Sequence, residues 1–135
     1  MAAARFELYA LARPGSARTR APLTAPVTWR LLSGNNRDLG RAAGTFPDVD
    51  TCVAALHRLR HGLAGTPAVS VTSPDGRTRW VWRVAVGAVD AAVASRVYQR
   101  RVQAEAACAV FVSLAARAPV AEAVRFVGSG RTVRL

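Results

Sequence analysis

The chain has 135 residues, 51% of them apolar, with 19 basic against 8 acidic residues and a net charge of +11. That length fits one domain able to bury a core without disulfide staples, and the apolar share excludes wholesale disorder. Every cation is Arg, nine in residues 1–67 and ten in 68–135, so there is no basic tail.

In chain order, RFELYA at 5–10 reads as a first strand, with Phe6 and Leu8 inward and Glu7 and Tyr9 outward. Its interrupted apolar run argues against an export signal. Residues 11–26, rich in Pro and Arg, read as a basic loop containing Arg13, Arg18 and Arg20. VTWRLLS then places Val27, Trp29 and Leu31 on one face and Thr28 and Arg30 on the other. Gly34-Asn35-Asn36 is turn chemistry, and DLGRAAGT at about 38–45 is a third strand. Asp48 is the expected N-cap of a helix whose stripe is Val49, Cys52, Val53, Leu56 and Leu59, with Gly62 as terminator.

The pattern restarts. PAVSV at 67–71 is a strand and SPDG at 73–76 a β-turn. WVWRVAV puts Trp80, Trp82, Val84 and Val86 on one face, with Val81 and Arg83 on the other. VASRVYQR at 93–100 is expected as a strand presenting Arg96, Tyr98 and Arg100. A helix follows from about Gln103 to Arg117, lined by Cys108, Val112 and Ala115 beside Phe111. AVRFV at 123–127 is a further strand, and residues 128–135 form a short arm or hairpin.

The recurrence of Trp-Arg-aliphatic at Trp29-Arg30 and Trp82-Arg83 predicts an internal duplication: repeat one at about 5–66, repeat two at about 67–127. The fold class is α+β. Two β-β-β-α(-β) units share one antiparallel sheet with two helices on one face, in a single domain over 1–135. Cys52 and Cys108, each six residues after a bulky residue (Phe46 and Val102), are expected at equivalent helix positions as buried thiols.

These motifs resemble the YegP-like family of small bacterial and archaeal proteins. The resemblance rests on Phe6-Glu7-Leu8-Tyr9, Trp29-Arg30-Leu31 with Asn35-Asn36, and Phe46 through Cys52. In the second unit it rests on Trp80-Val81-Trp82-Arg83-Val84 and Ala106-Ala107-Cys108. It implies tandem β3-α-β units sharing one sheet and exchanging C-terminal strands, and it implies no particular function. The chain departs from that pattern in its long 11–26 loop and in AVGAVDAAVAS, where an Asn-Gly turn is usual.

Catalytic signals are sparse. His57 and His61 have i, i+4 spacing but lack HExxH, and dipole-favoured histidines near a helix C-terminus are the ordinary reading. Gly128-Ser129-Gly130 is followed by neither Lys nor a helix start. No enzyme activity, metal or cofactor is expected. The expected protein is a cytoplasmic accessory or regulatory binding module, monomeric or homodimeric, with no membrane partner. Single-stranded nucleic acid and a second protein are the alternative partners. Either would use a sheet face bearing Tyr9, Arg30, Arg79, Arg83, Arg96, Tyr98 and Arg100, the nucleic acid by phosphate pairing and base stacking. An Arg-only excess is also what a GC-rich genome produces, and long Arg stems on a solvated sheet face would keep it soluble.

Overall fold

A computed structural model describes residues 3–11, 25–127 and 132–134. Most of the 11–26 loop, with Arg13, Arg18 and Arg20, and Gly128-Ser129-Gly130 lie outside the described residues. The strands are β1 (Arg5–Ala10), β2 (Val27–Leu32), β3 (Asp38–Ala42), β4 (Ala68–Thr72), β5 (Val81–Val86), β6 (Val89–Val93), β7 (Val120–Phe126) and β8 (Thr132–Arg134). The helices are α1 (Val49–Leu63) and α2 (Arg101–Ala115). All eight strands form one sheet in the order β4-β5-β6-β3-β2-β1-β7-β8.

The sheet is mixed, which corrects the expectation of an antiparallel one. β7 returns after α2 and lies parallel to β1, with Leu8 beside Val124 and Tyr9 beside Arg125. Every other pairing is antiparallel. The parallel pair joins the beginning of the chain to its far end, a long-range choice that no local pattern encodes.

Period-2 alternation builds the core. Phe6, Leu8, Val27, Trp29, Leu31, Trp82 and Val84 all point to the helix side and are essentially inaccessible to solvent. Leu56 and Leu59 of α1 and Cys108 and Phe111 of α2 close over them. Phe111 lies between the tryptophans, stacked on Trp29 at 6.3 Å and tilted against Trp82 at 4.8 Å. Gly40 makes room for this layer, since a Cβ there would sit 2.6 Å from the Phe111 ring and 2.8 Å from Trp82. The Trp82 Nε1–H is buried and has no acceptor among the described residues.

Turn chemistry accounts for the short connections. Asn36 takes a positive φ of 66° between β2 and β3. Gly87, at 65°, starts the two-residue turn that sets Val86 opposite Val89, the geometry that Gly at the first position of such a hairpin allows. Asp48 caps α1 as expected, accepting the Thr51 N–H at 2.7 Å. That bond holds the Asp48 carboxyl below its usual value. A depressed folded-state pKa contributes stability above the unfolded pKa and loses it as pH falls. Asp48→Ala is therefore expected to lower the melting temperature at neutral pH. The gap from wild type should narrow as pH drops through the carboxylate range in a thermal-melt series, whereas Asp48→Asn, which keeps the cap, should lose less at neutral pH.

Several local expectations need correction. The strand after the Gly87 turn is Val89–Val93, not 93–100. It is a strand because β3 and β5 pair with it on both sides, which outweighs its Ala-rich composition. Gly62 lies inside α1, which ends at Leu63 with Ala64 as its cap. The glycine is there for close approach: a Cβ would meet Val86 at 2.8 Å. α2 begins at Arg101, where the Arg100 N–H donates to Gln103 Oε1 at 3.2 Å in place of a Ser or Asp cap. Finally, the cysteines are not equivalent. Both helices have fifteen residues, and counted from their first residues Cys52 matches Ala104 while Leu56 matches Cys108.

Candidate nucleic-acid interface

The face away from the helices carries the charge. The pairings align one row across six strands: Ser70 opposite Arg83, Arg83 opposite Val93, Val93 opposite Arg41, Arg41 opposite Arg30, and Arg30 opposite Glu7. Directly opposed residues in an antiparallel ladder share a face, so this row is common to all six side chains. Arg41 and Arg30 are adjacent like charges, an arrangement that lowers sheet stability without a counter-ion. Arg30 lies 3.8 Å from Asp38 and Arg83 lies 3.4 Å from Asp90, both in half-exposed settings where an ion pair adds little. Arg41 is exposed and has no ion pair among the described residues.

At the β1 end the row closes on a polar cluster. Glu7 is only 4% exposed. It accepts from Arg5 Nε at 3.1 Å and from the Tyr9 hydroxyl at 3.0 Å, and it forms an ion pair with Arg125, whose Nε lies 3.2 Å away. The Arg30 guanidinium covers the Tyr9 ring at 5.0 Å. Burial, helped by the Glu7 carboxylate, pushes the Tyr9 phenol above its usual value, so it stays a donor. A nucleobase arriving here would meet a guanidinium plane laid on a tyrosine, and such planes stack bases as aromatic rings do.

Tyr9, Arg30 and Arg83 therefore lie on one face, as alternation predicts. Arg79 belongs to the turn before β5, where its N–H, with those of Arg77 and Thr78, donates to Asp75 Oδ1. Arg96, Tyr98 and Arg100 are not on the open face as strand residues. Arg96 and Tyr98 lie in the segment between β6 and α2, and Arg100 is the N-cap residue just before α2. Tyr98 exchanges two backbone hydrogen bonds with Trp80, at 2.7 and 2.8 Å, so its side chain shares the tryptophan side of the sheet. The Arg96 guanidinium lies 5.2 Å from the Tyr98 ring centre, and the two line a separate surface groove with Val97, Gln99 and Gln103. Trp80, expected in the core, is half-buried at the end of the helix layer, with the Arg101 guanidinium 5.8 Å from its ring.

Two members of the face escape a sequence reading. Arg41 lies in a strand whose register shifts beside Leu32, and Arg125 joins only through the parallel pairing of β7 with β1. Placing β3 antiparallel to β2 would have been enough to find Arg41.

Both thiols are withdrawn from solvent. Burial pushes the Cys52 thiol up to about 12 and Cys108 to about 11, so both are protonated at neutral pH. His57 and His61 are exposed on α1. Among the described residues no three His, Cys, Asp or Glu gather as metal ligands, and no helix is long and apolar enough to cross a membrane. Neither a family model, nor a curated protein, nor a solved structure matches the chain.

Proposed function

We propose that this chain is a doubled unit of the YegP-like type, a non-catalytic accessory protein that holds single-stranded nucleic acid across its open sheet face. Support for the doubling comes from the registers: Leu8 faces Trp29 as Val71 faces Trp82, and Glu7 faces Arg30 as Ser70 faces Arg83. The buried helix positions also correspond at one fixed offset, Cys52, Leu56, Leu59 and Leu63 with Ala104, Cys108, Phe111 and Ala115. The observation that carries the binding role is the alignment of Arg83, Arg41 and Arg30 in one row, with two of them adjacent. A phosphate between Arg41 and Arg30 relieves their repulsion, and guanidinium forks match phosphate oxygens well.

The test is fluorescence anisotropy with a labelled oligouridylate over a salt series. A triple variant, Arg30→Gln, Arg41→Gln and Arg83→Gln, is expected to weaken binding and to flatten the log–log salt slope by about 2–3, roughly one unit per lost phosphate contact. Arg58→Gln with Arg60→Gln on α1 removes charge elsewhere and should change the slope less. Equal losses from the two sets would replace the sheet face with a diffuse charge effect. Undiminished binding by the triple variant would refute the interface.

A further inference from the structure

The two longest stretches without an Asp, Glu, Arg or His are residues 62–74 and 106–116, in a chain where 20% of residues are charged. The fold brings them together: 62–74 contains β4, 106–116 is most of α2, and α2 packs against β4. Among the described residues, β4 is an edge strand paired with β5 alone. The strand facing Trp29 in the same way, β1, has its other edge covered by β7. The far edge of the sheet, β8, has Arg134 in its sequence, whereas Ala68-Val69-Ser70-Val71-Thr72 has no charge to deter pairing.

We infer that the β4 edge is a self-association surface, occupied by β4 of a second copy of this chain running antiparallel about a twofold axis at Ser70. The free hydrogen-bonding groups fit that arrangement. Ala94 donates to the Trp82 carbonyl, so Trp82 directs its backbone toward β6. Val71, opposite Trp82, and Val69, two residues earlier, therefore direct their N–H and C=O groups outward. A twofold axis at Ser70 sets each Val69 against the second copy's Val71, which satisfies all of these groups with four hydrogen bonds. Ser70 meets Ser70 on the open face, so no arginines oppose each other at the seam. The two Arg83 residues come no nearer than three strand spacings, about 14 Å.

The helix side supplies the apolar area. Val69 is 47% exposed, and on α2 Val102 and Val110 are 71% and 47% exposed. Ala106, Ala109 and Ser113 are also outward on α2, whose two exposed charges, Arg101 and Glu105, pair with each other, whereas the outward positions of α1 include Asp50, His57, Arg58 and His61. An uncharged strand beside a helix whose exposed charges cancel offers little to an acidic partner. They do suit a copy of themselves, because two highly basic chains can approach there with little charge repulsion.

Sedimentation equilibrium of the full chain across a concentration series tests this. The wild type is expected to reach twice the chain mass. Val71→Pro removes only an outward N–H, and Ser70→Arg sets two cations face to face across the axis. Both should remain at the monomer mass with a native circular-dichroism spectrum. Should the proline variant fail to fold, Ser70→Arg decides. Register is read by oxidation: Ser70→Cys should cross-link into a dimer, while Thr72→Cys, which would face Ala68 of the second copy, should not. A wild type monomeric up to millimolar concentration overturns the inference and leaves the edge for a strand of another protein. A dimer that survives Ser70→Arg, or Thr72→Cys cross-linking as well as Ser70→Cys, overturns it too.

Discussion

Phe111→Ala is expected to cost about 3–5 kcal/mol, the range for deleting a fully buried aromatic side chain. Domains of this size have total stabilities of roughly 5–15 kcal/mol, so the variant will be marginal. Phe111 is fully buried and touches both indoles, while Phe6 meets Trp29 edge-on at 5.2 Å. Its removal opens a cavity between the two halves of the sheet, where neither tryptophan can collapse inward without leaving its own strand. Gly40 lies against the same ring, so a methyl group there clashes with Phe111 in the wild type and partly fills the cavity in the alanine variant. Gly40→Ala alone is expected to destabilise by about 1–3 kcal/mol through overpacking. The double variant should be more stable than the sum of the two costs implies, by about 0.5–3 kcal/mol. Urea unfolding of the four proteins measures this, and strict additivity would mean that Gly40 and Phe111 do not share the space assigned to them.

The same layer shows what was legible in the sequence. Trp29 and Trp82 are recognisable as core, with Arg30 and Arg83 opposite, because alternation has a period of two and each strand is bounded by turn residues. α1 is legible from Asp48 and one apolar stripe. What stayed hidden depends on long-range contacts. β6 is a strand because it fills the gap between β5 and β3, and its Val89-Asp90-Ala91-Ala92-Val93 carries no strong propensity of its own. Arg96, Tyr98 and Arg100 alternate as a strand would, yet Tyr98 pairs as a single bridge with Trp80 and the chain then enters α2. Counting each thiol six residues from a bulky residue misaligns the helices, because Phe46 lies three residues before α1 begins whereas Val102 is already inside α2, and only the helix ends fix the register. Arg41 shows the same limit at the site: its place in the row is a property of pairing, not of its neighbours in the chain.

Glu7→Ala is expected to cost about 2–3 kcal/mol and, in the opposite direction, to strengthen binding of single-stranded RNA at low salt. The stability loss follows from two lost hydrogen bonds, one from Arg5 and one from the Tyr9 phenol, and from the lost ion pair with Arg125. Hydrogen bonds involving a charged group contribute about 1.5–3 kcal/mol each, but the sum must be discounted because the partners can turn to water. Arg5 and Arg125 have side chains 28% and 55% exposed, so neither is stranded without solvent. Part of the loss is specific to the sheet, since the Glu7–Arg125 contact ties β1 to β7 across their parallel pairing. Glu7→Gln keeps the shape and an acceptor oxygen, and should lose less. The gain in binding follows from charge alone: Glu7 ends the row that contains Arg30, Arg41 and Arg83, and removing its carboxylate frees Arg5 and Arg125 for phosphate. A carboxylate with a purely structural role would lower stability and leave affinity unchanged or reduced. Chemical denaturation and low-salt anisotropy on the same preparations separate the two, and a Glu7→Gln variant that binds RNA no better than wild type would remove this face from the nucleic-acid reading.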